Sequence, residues 1–366
     1  MPVPDQRDPE VTSAVLSRWL ADRLSGGEVT LSDLEIPGTT GFSAETLLFD
    51  VACGGRTERL VAKVAPVRYQ VFPDPLPYAD QYRLLRILDE RTTIPVPPMR
   101  WYEADTTLLG APFYVIDRVD GRAPEDDPPY HQAGWVAEAP PERRRRMWTA
   151  GLEIMAEVHR LDPAPFAFLD RTRYGRAGLD QRLGYYTHYM SWAYHRPQPT
   201  CAAALRWLRE NRPPEPDPPV LLWGDSRIGN ILYGDDGEPL AALDWEIATL
   251  GAPEEDLAWY MFLDRHHSEG IGVPRLPGFP SYADTVAYYE ELTGRRMRHL
   301  AYYEILSAFK FAVIMARIGQ AFIDFGLVPP DSDFPVDNTA SRLLAALLGL
   351  PAPRPPVTGP PSGGPR

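Results

Sequence analysis

A chain of 366 residues exceeds the roughly 250 to 300 at which a single hydrophobic core stops growing, so two lobes are expected. Its 44% apolar and 24% charged residues are those of a globular protein, and 37 basic against 50 acidic residues give a net charge of -13. That balance disfavours nucleic acid and anionic membrane surfaces as partners. Cys53 and Cys201 are too few and too far apart for a disulfide framework or a zinc motif, and "MPVPDQRDPE" lacks a signal-peptide pattern, so the expected setting is cytoplasmic.

In chain order, Asp8 and Pro9 start a helix that stops by Gly26-Gly27. Strands at Val29–Ile36, Glu45–Ala52 and Thr57–Val64, separated by "PGTTGFS" and Gly54-Gly55, predict an antiparallel meander. A helix over Tyr78–Glu90 and strands over Met99–Glu103 and Phe113–Val119 complete a small α+β lobe, and "APEDDPPY" connects it onward. The helical period then dominates, with helices at Glu142–Leu161, Leu179–His195, Ala202–Glu210, Tyr282–Leu292, His299–Phe325 and Asn338–Leu348. Glu304, Lys310, Arg317 and Asp324 mark the fifth of these as a buried soluble helix, not a membrane span. The expected divisions are 1–27 for the first helix, 28–120 for the small lobe, 121–350 for the helical lobe and 351–366 for a disordered Pro-rich tail.

One β island interrupts the helical part, "VLLWGDSRIGNILYGDDGEPLAALDWE", residues 220–246. Read as three antiparallel strands, it brings Asp225, Asn230 and Asp244 to one edge. Asp, Asn and Gly are also common turn formers, and that reading is kept for Asp235-Asp236-Gly237. Two carboxylates and an amide gathered in apolar surroundings repel one another unless a cation lies between them. Magnesium suits Asn230 and Asp244, since it takes few protein oxygens and completes its shell with water and phosphate. Asp225 is then free to accept the proton of an incoming hydroxyl.

A phosphate-handling partner stands in the small lobe. Of 37 basic residues only Lys63 and Lys310 are lysine. Lys63, on a strand, is a compact charge suited to α- and β-phosphates. Gly41, Phe42 and Ser43, in "TTGFS", occupy the place of a nucleotide-covering loop. Lys310 reads as a stem packed along its helix with the head at the surface.

The small meander lobe with its lysine, "GDSRIGN", and "LDWE" resemble the aminoglycoside phosphotransferase and choline kinase-like family, which has the two-lobed protein kinase fold. "LGAPFYVIDRVDG" and "YYEILSAFKFAVI" bring it nearest the branch of kinase-like domains fused to acyl-CoA dehydrogenases. The resemblance implies a small-molecule kinase using ATP or GTP with magnesium and a hydroxyl acceptor. The acceptor classes kept open are an antibiotic, a sugar, an alcohol or a hydroxyacyl compound, and oligomeric state is open too. It further implies Asp225 as catalytic base, Asn230 and Asp244 as metal ligands, the backbone of Asp117 to Val119 as the adenine hinge, and Asp256 as a structural carboxylate.

Arg227 falls where relatives carry a basic group facing the transferred phosphate, the alternative being a salt bridge within the lobe. Two departures stand out. Gln81, beside Asp80, takes the place of the helix glutamate that holds the strand lysine. Trp223 takes that of a loop-supporting histidine, replacing a hydrogen bond with packing. These departures motivate a nucleotide-binding regulatory protein as one alternative, with nucleotidyl transfer as another. His159 reads as a satisfied core histidine, Arg143 to Arg146 as a solvated helix face, and Tyr185, Tyr186 and Tyr189 as either core or cleft wall.

Overall fold

The computed structural model describes residues 7–353, save 26, 38–43, 68 and 217. Helix α1 (Pro9–Ala21) is capped as expected by the Asp8 carboxylate, which accepts from the Glu10 and Val11 amides at 2.9 and 3.2 Å. The meander follows as β1 (Val29–Glu35), β2 (Glu45–Cys53) and β3 (Arg56–Val64). Then come α2 (Tyr78–Arg91), β4 (Met99–Glu103), the single-turn α3 (Thr106–Leu109) and β5 (Phe113–Asp117). The five strands form one sheet, ordered β1-β2-β3-β5-β4, in which all neighbours are antiparallel.

Gly54 and Gly55 join β2 to β3 with φ of 57° and 78°, the pair of left-handed residues that a tight hairpin needs. Register then runs unbroken from Cys53 opposite Arg56 to Glu45 opposite Val64. Because strand side chains alternate, Leu60, Ala62 and Val64 pack toward α1 with Leu47, Phe49 and Phe113. Val61 and Lys63 consequently face the other way, where Leu84 and Leu88 of α2 pack.

Beyond β5 the chain is mostly helical: α4 (Trp135–Glu138), α5 (Pro141–Val158), α6 (Gly178–Ala193), α7 (Pro199–Glu210), α8 (Pro253–His266), α9 (Tyr282–Thr293), α10 (Leu300–Asp324) and α11 (Thr339–Leu347). This is the expected protein kinase-like α+β architecture, an antiparallel-sheet lobe followed by a larger helical part. Sequence patterning did not delimit α8, whose buried residues run from Pro253 to His266 on nearly every face, so it shows no one-sided period. Among the described residues α10 alone is long and apolar enough to cross a membrane, and 67% of its apolar window is buried inside the protein.

The β island differs from the expected three-stranded sheet. Strands β6 (Val220–Leu222), β7 (Ile231–Tyr233), β8 (Pro239–Ala242) and β9 (Thr249–Gly251) form two separate pairs, β6 with β9 and β7 with β8. A turn of 3-10 helix over Ile228–Asn230 separates β6 from β7, and the distant run Thr249–Gly251 takes the β6 edge. Nonlocal pairing of this kind leaves no periodic signal. The "RRRR" run also divides: Arg145 and Arg146 are exposed, whereas Arg144 is buried. Arg144 donates to the Val136, Ala137 and Pro277 carbonyls at 2.9, 2.6 and 2.8 Å, because its position turns inward with Met147 and Trp148.

Candidate active site

The loop after β6 carries the first group of candidate residues. Gly224 has φ of 90°, and a Cβ there would lie 2.3 Å from the Ile247 carbonyl oxygen, so only glycine permits the approach. The Asp256 carboxylate, at the start of α8, accepts from the Trp223 and Gly224 amides at 2.7 and 2.9 Å. The Ser226 hydroxyl donates to the Asp256 carbonyl at 2.9 Å. His159 Nε2 lies 3.0 Å from the same carboxylate, and its Nδ1 pairs with the Tyr289 hydroxyl. Asp256 is thus an internal structural carboxylate and His159 a core histidine bonded to it, a pairing the sequence did not indicate, and together they fix the backbone leading into Asp225.

Asp225 is held from both sides. Trp259 Nε1 donates to Oδ1 at 2.8 Å, and Asn230 Nδ2 donates to Oδ2 at 2.7 Å. With its NH2 turned to Asp225, Asn230 keeps its amide oxygen as an acceptor toward the cleft that it lines. Trp223 is fully buried, stacks on Trp245 at 5.4 Å, and donates from Nε1 to the Leu243 carbonyl at 2.8 Å. The expectation that it exchanges a hydrogen bond for packing is corrected: the indole supplies both, and it braces the residue next to Asp244.

Asp244 adopts φ of 62°, a conformation that costs a non-glycine residue on the order of 1 kcal/mol or more and recurs at functional sites. The surrounding protein and the Asp225 carboxylate push its pKa up to about 6, against the pull of Lys63 and Arg227, although its side chain opens onto the cleft. Arg227 is engaged otherwise than a phosphate-facing role requires. It grips Asp126 with both terminal nitrogens at 2.7 and 2.8 Å, while Nε stays 3.6 Å from Asp225 Oδ2. Burial works against the Asp126 charge, but Arg227 holds that carboxyl down to about 2. A planar guanidinium fits a carboxylate in this two-point way, so the salt-bridge alternative is the one realised.

Lys63 donates to Thr46 Oγ1 at 2.8 Å, its neighbour across the β2–β3 register. Burial lowers its pKa, and the carboxylates that oppose this are Asp244 and Glu246. Neither Gln81 nor Asp80 is its partner. Gln81 is buried and donates to the Leu76 carbonyl at 2.8 Å, because the bend entering α2 leaves that carbonyl within its reach. Lys63, Gln81 and Tyr114 nevertheless line the same cleft as Asn230, Asp244 and Glu246, with an empty volume of about 810 Å³ including its mouth.

The hinge expectation is narrowed. Asp117 N–H donates to Pro98 O at 2.9 Å and Arg118 N–H to Arg59 O at 2.8 Å, so sheet pairing already commits them. The Val119 N–H has no partner among the described residues. Gly41, Phe42 and Ser43 lie outside the described residues. Sequence reading missed Trp259, Glu246 and Asp126. Trp259 had a signal, since it stands one helical turn after Asp256; Asp126, inside a Pro-rich connector, had none.

The sequence model of the phosphotransferase enzyme family matches residues 40–292, from the strand before Lys63 through the whole of this constellation. The chain belongs to the phosphotransferase enzyme family. The chain is 26% identical over 325 residues, 83% of its length, to the Arabidopsis thaliana protein described as probable acyl-CoA dehydrogenase IBR3. It is 30% identical over 242 residues, 63% of its length, to acyl-CoA dehydrogenase family member 11 of Gallus gallus. This phosphotransferase chain spans only 38% and 30% of those relatives. Among solved structures, a Ralstonia eutropha protein provisionally assigned as an aminoglycoside phosphotransferase has a TM-score of 0.66 at 23% identity, covering 91% of this chain and 95% of its own. A thermostable mutant of an aminoglycoside phosphotransferase, in ternary complex with ADP and hygromycin B, has a TM-score of 0.57 at 15% identity, covering 91% and 98%. These last two likenesses concern the fold.

Proposed function

We propose that this family member transfers the γ-phosphate of a purine nucleoside triphosphate, ATP or GTP, to a hydroxyl group of a small-molecule acceptor. The observation that carries the reading is that Asn230 and Asp244 from the β island line one cleft with Lys63 from β3, with Asp225 beside it, hydrogen-bonded to Asn230 and acting on Asp244. Residues 28–120 supply the nucleotide-binding side and residues 121–350 the acceptor side. Lys63 neutralises charge on the α- and β-phosphates, and the Val119 N–H is the hinge donor left for the base. Asp225, fixed by Trp259 and Asn230, orients the acceptor hydroxyl and accepts its proton as the phosphoryl group moves. Positioning of this kind carries most of the rate enhancement in phosphoryl transfer.

Magnesium fits the donor set. Among the described residues no cluster of three or more His, Cys, Asp or Glu forms a metal site, and magnesium needs only one or two protein oxygens beside phosphate and water. Asn230 Oδ1 and Asp244 would supply them, both lining the cleft. Held by Asn230 and Asp244, such an ion would supply positive charge to offset that of the phosphates.

A coupled assay of ADP release against aminoglycosides, macrolides, sugars, alcohols and hydroxyacyl compounds tests the proposal, with mass spectrometry of the product. A gain of phosphate supports it; a gain of AMP points to nucleotidyl transfer, and nucleotide binding with no product in any arm points to a regulatory protein.

A further inference from the structure

Arg227 stands between two carboxylates and is committed to the one outside the proposed chemistry. Both of its terminal nitrogens grip Asp126, at 2.7 and 2.8 Å, while Nε lies 3.6 Å from Asp225 Oδ2. Among the described residues it is the one cation within 4 Å of Asp225. The other cations around the site are engaged elsewhere. Lys63 donates to Thr46. Lys310, whose ammonium lies 4.7 Å from the ring centre of Trp259, donates to Glu255 Oε1 at 2.9 Å, and Arg182 Nε donates to the same oxygen at 2.7 Å. Lys310 is thus buried with a carboxylate, not a surface head on a packed stem as its sequence context suggests.

The connector that carries Asp126 is fixed on both sides of it. Arg122 and Tyr233 exchange backbone hydrogen bonds at 2.9 and 3.0 Å, and the Ala123 carbonyl accepts from Trp135 Nε1 at 3.2 Å. Further on, the Tyr130 hydroxyl donates to Asp264 Oδ1 at 3.0 Å, and His131 Nε2 lies 2.8 Å from the same atom. Asp126 therefore keeps its place without help from Arg227. His267 Nε2 lies 3.4 Å from Asp126 Oδ1, but burial lowers the His267 pKa and holds that of His266 down to about 3, so near neutral pH both rings are uncharged. Arg227, by contrast, depends on Asp126. Its side chain is 18% exposed, against 46% for Asp126, and a cation so enclosed is costly to leave unpaired. Without the Asp126 carboxylate, its nearest alternative is Asp225 Oδ2. Trp259 and Asn230 already take two of the roughly four lone-pair positions of that carboxylate. A guanidinium closing on it with two N–H groups would take the rest and leave none for the proton of an acceptor hydroxyl.

We infer that Asp126 is a positioning residue for phosphoryl transfer: by holding Arg227 it keeps the guanidinium off Asp225 and leaves the base open to the acceptor. The inference rests on the phosphotransferase reading and deepens it, since it gives the Pro-rich connector a part in the reaction. A crystal structure of Asp126→Asn with magnesium and AMP-PNP tests it directly, and the Arg227 guanidinium should close to about 3 Å from Asp225 Oδ2. ADP release from ATP gives the kinetic arm, with water in place of the acceptor, taking the γ-phosphoryl group and leaving its proton to Asp225. In Asp126→Asn kcat should fall at least about tenfold with the KM for ATP unchanged. Adding Arg227→Met to that variant should restore most of the loss, because the intruding cation is gone. A bridge that merely fastened the connector would leave the double variant as slow as the single one or slower. The inference is overturned if the guanidinium stays away from Asp225 in Asp126→Asn, or if the double variant is no faster than Asp126→Asn. It is overturned equally if Arg227→Met alone is as slow as Asp126→Asn, as it would be were Arg227 a ligand of the transferred phosphate. Absence of ADP release from the parent protein, with water and with every acceptor of the panel, would count against the phosphotransferase reading, and the structure of Asp126→Asn would still decide where Arg227 goes.

Discussion

Asp225 has both carboxylate oxygens occupied by donors, Trp259 and Asn230, which sets its direction. Asp225→Asn keeps the shape and removes the base, so turnover should fall by about 10²- to 10⁴-fold with nucleotide affinity retained; an unchanged kcat in the ADP-release assay would refute the role. Asp244 makes a prediction about pH. Its folded pKa is raised to about 6 from 3.8, so between those values the folded chain holds a proton that the unfolded chain has lost. Its contribution to stability is therefore largest below the unfolded value and is lost as pH rises through about 6. A cation needs the ionised form, so the melting-temperature gain from magnesium and AMP-PNP should widen as pH rises through that window. A gain that stays flat from about pH 5 to 7.5, in Asp244→Asn as in the parent, would remove the carboxylate from the metal site.

Helix α8 is the element on which the site is mounted. Its first two turns present Asp256 to the loop backbone, Trp259 to Asp225 and Glu255 to Lys310 of α10. Asp256 is 1% exposed, so Asp256→Ala strands two buried amides and His159, and denaturant unfolding should show a loss of about 3 kcal/mol or more. Glu255→Ala and Lys310→Met should behave differently from one another. The first leaves two buried cations without a carboxylate and should cost about 3 to 5 kcal/mol, whereas the second leaves the one-to-one Arg182–Glu255 pair and should cost less. Equal losses would mean that Glu255 and Lys310 matter as a pair rather than as one anion between two cations.

The whole molecule depends on two separate sources of charge meeting across one cleft. Lys63 stands on a sheet packed against α1 and α2, and the carboxylates acting on it come from the far lobe. Nucleotide bound between the lobes should stabilise the entire chain, by about 2.7 kcal/mol at 100 times the dissociation constant. Lys63→Ala should abolish most of that gain in a thermal melt; a full gain in the variant would place the nucleotide elsewhere.

Local chemistry was legible where it is written locally. The Gly54-Gly55 hairpin, the alternation that turns Lys63 away from the α1 core, the Asp8 cap and the G-D-x-x-x-x-N spacing each depend on neighbours within a few residues. So were the two-lobed α+β class and the residue types of the site. Partner choice was not legible, because it is settled between segments tens of residues apart. That β6 pairs with Thr249–Gly251, that Arg227 closes on Asp126, that Gln81 turns to Leu76 while Glu246 acts on Lys63, and that Lys310 lies buried on Glu255 are all outcomes of packing. A side chain's type limits the bonds it can make; only the folded chain decides which of the competing donors and acceptors comes within reach, and with it the charge that an incoming substrate meets.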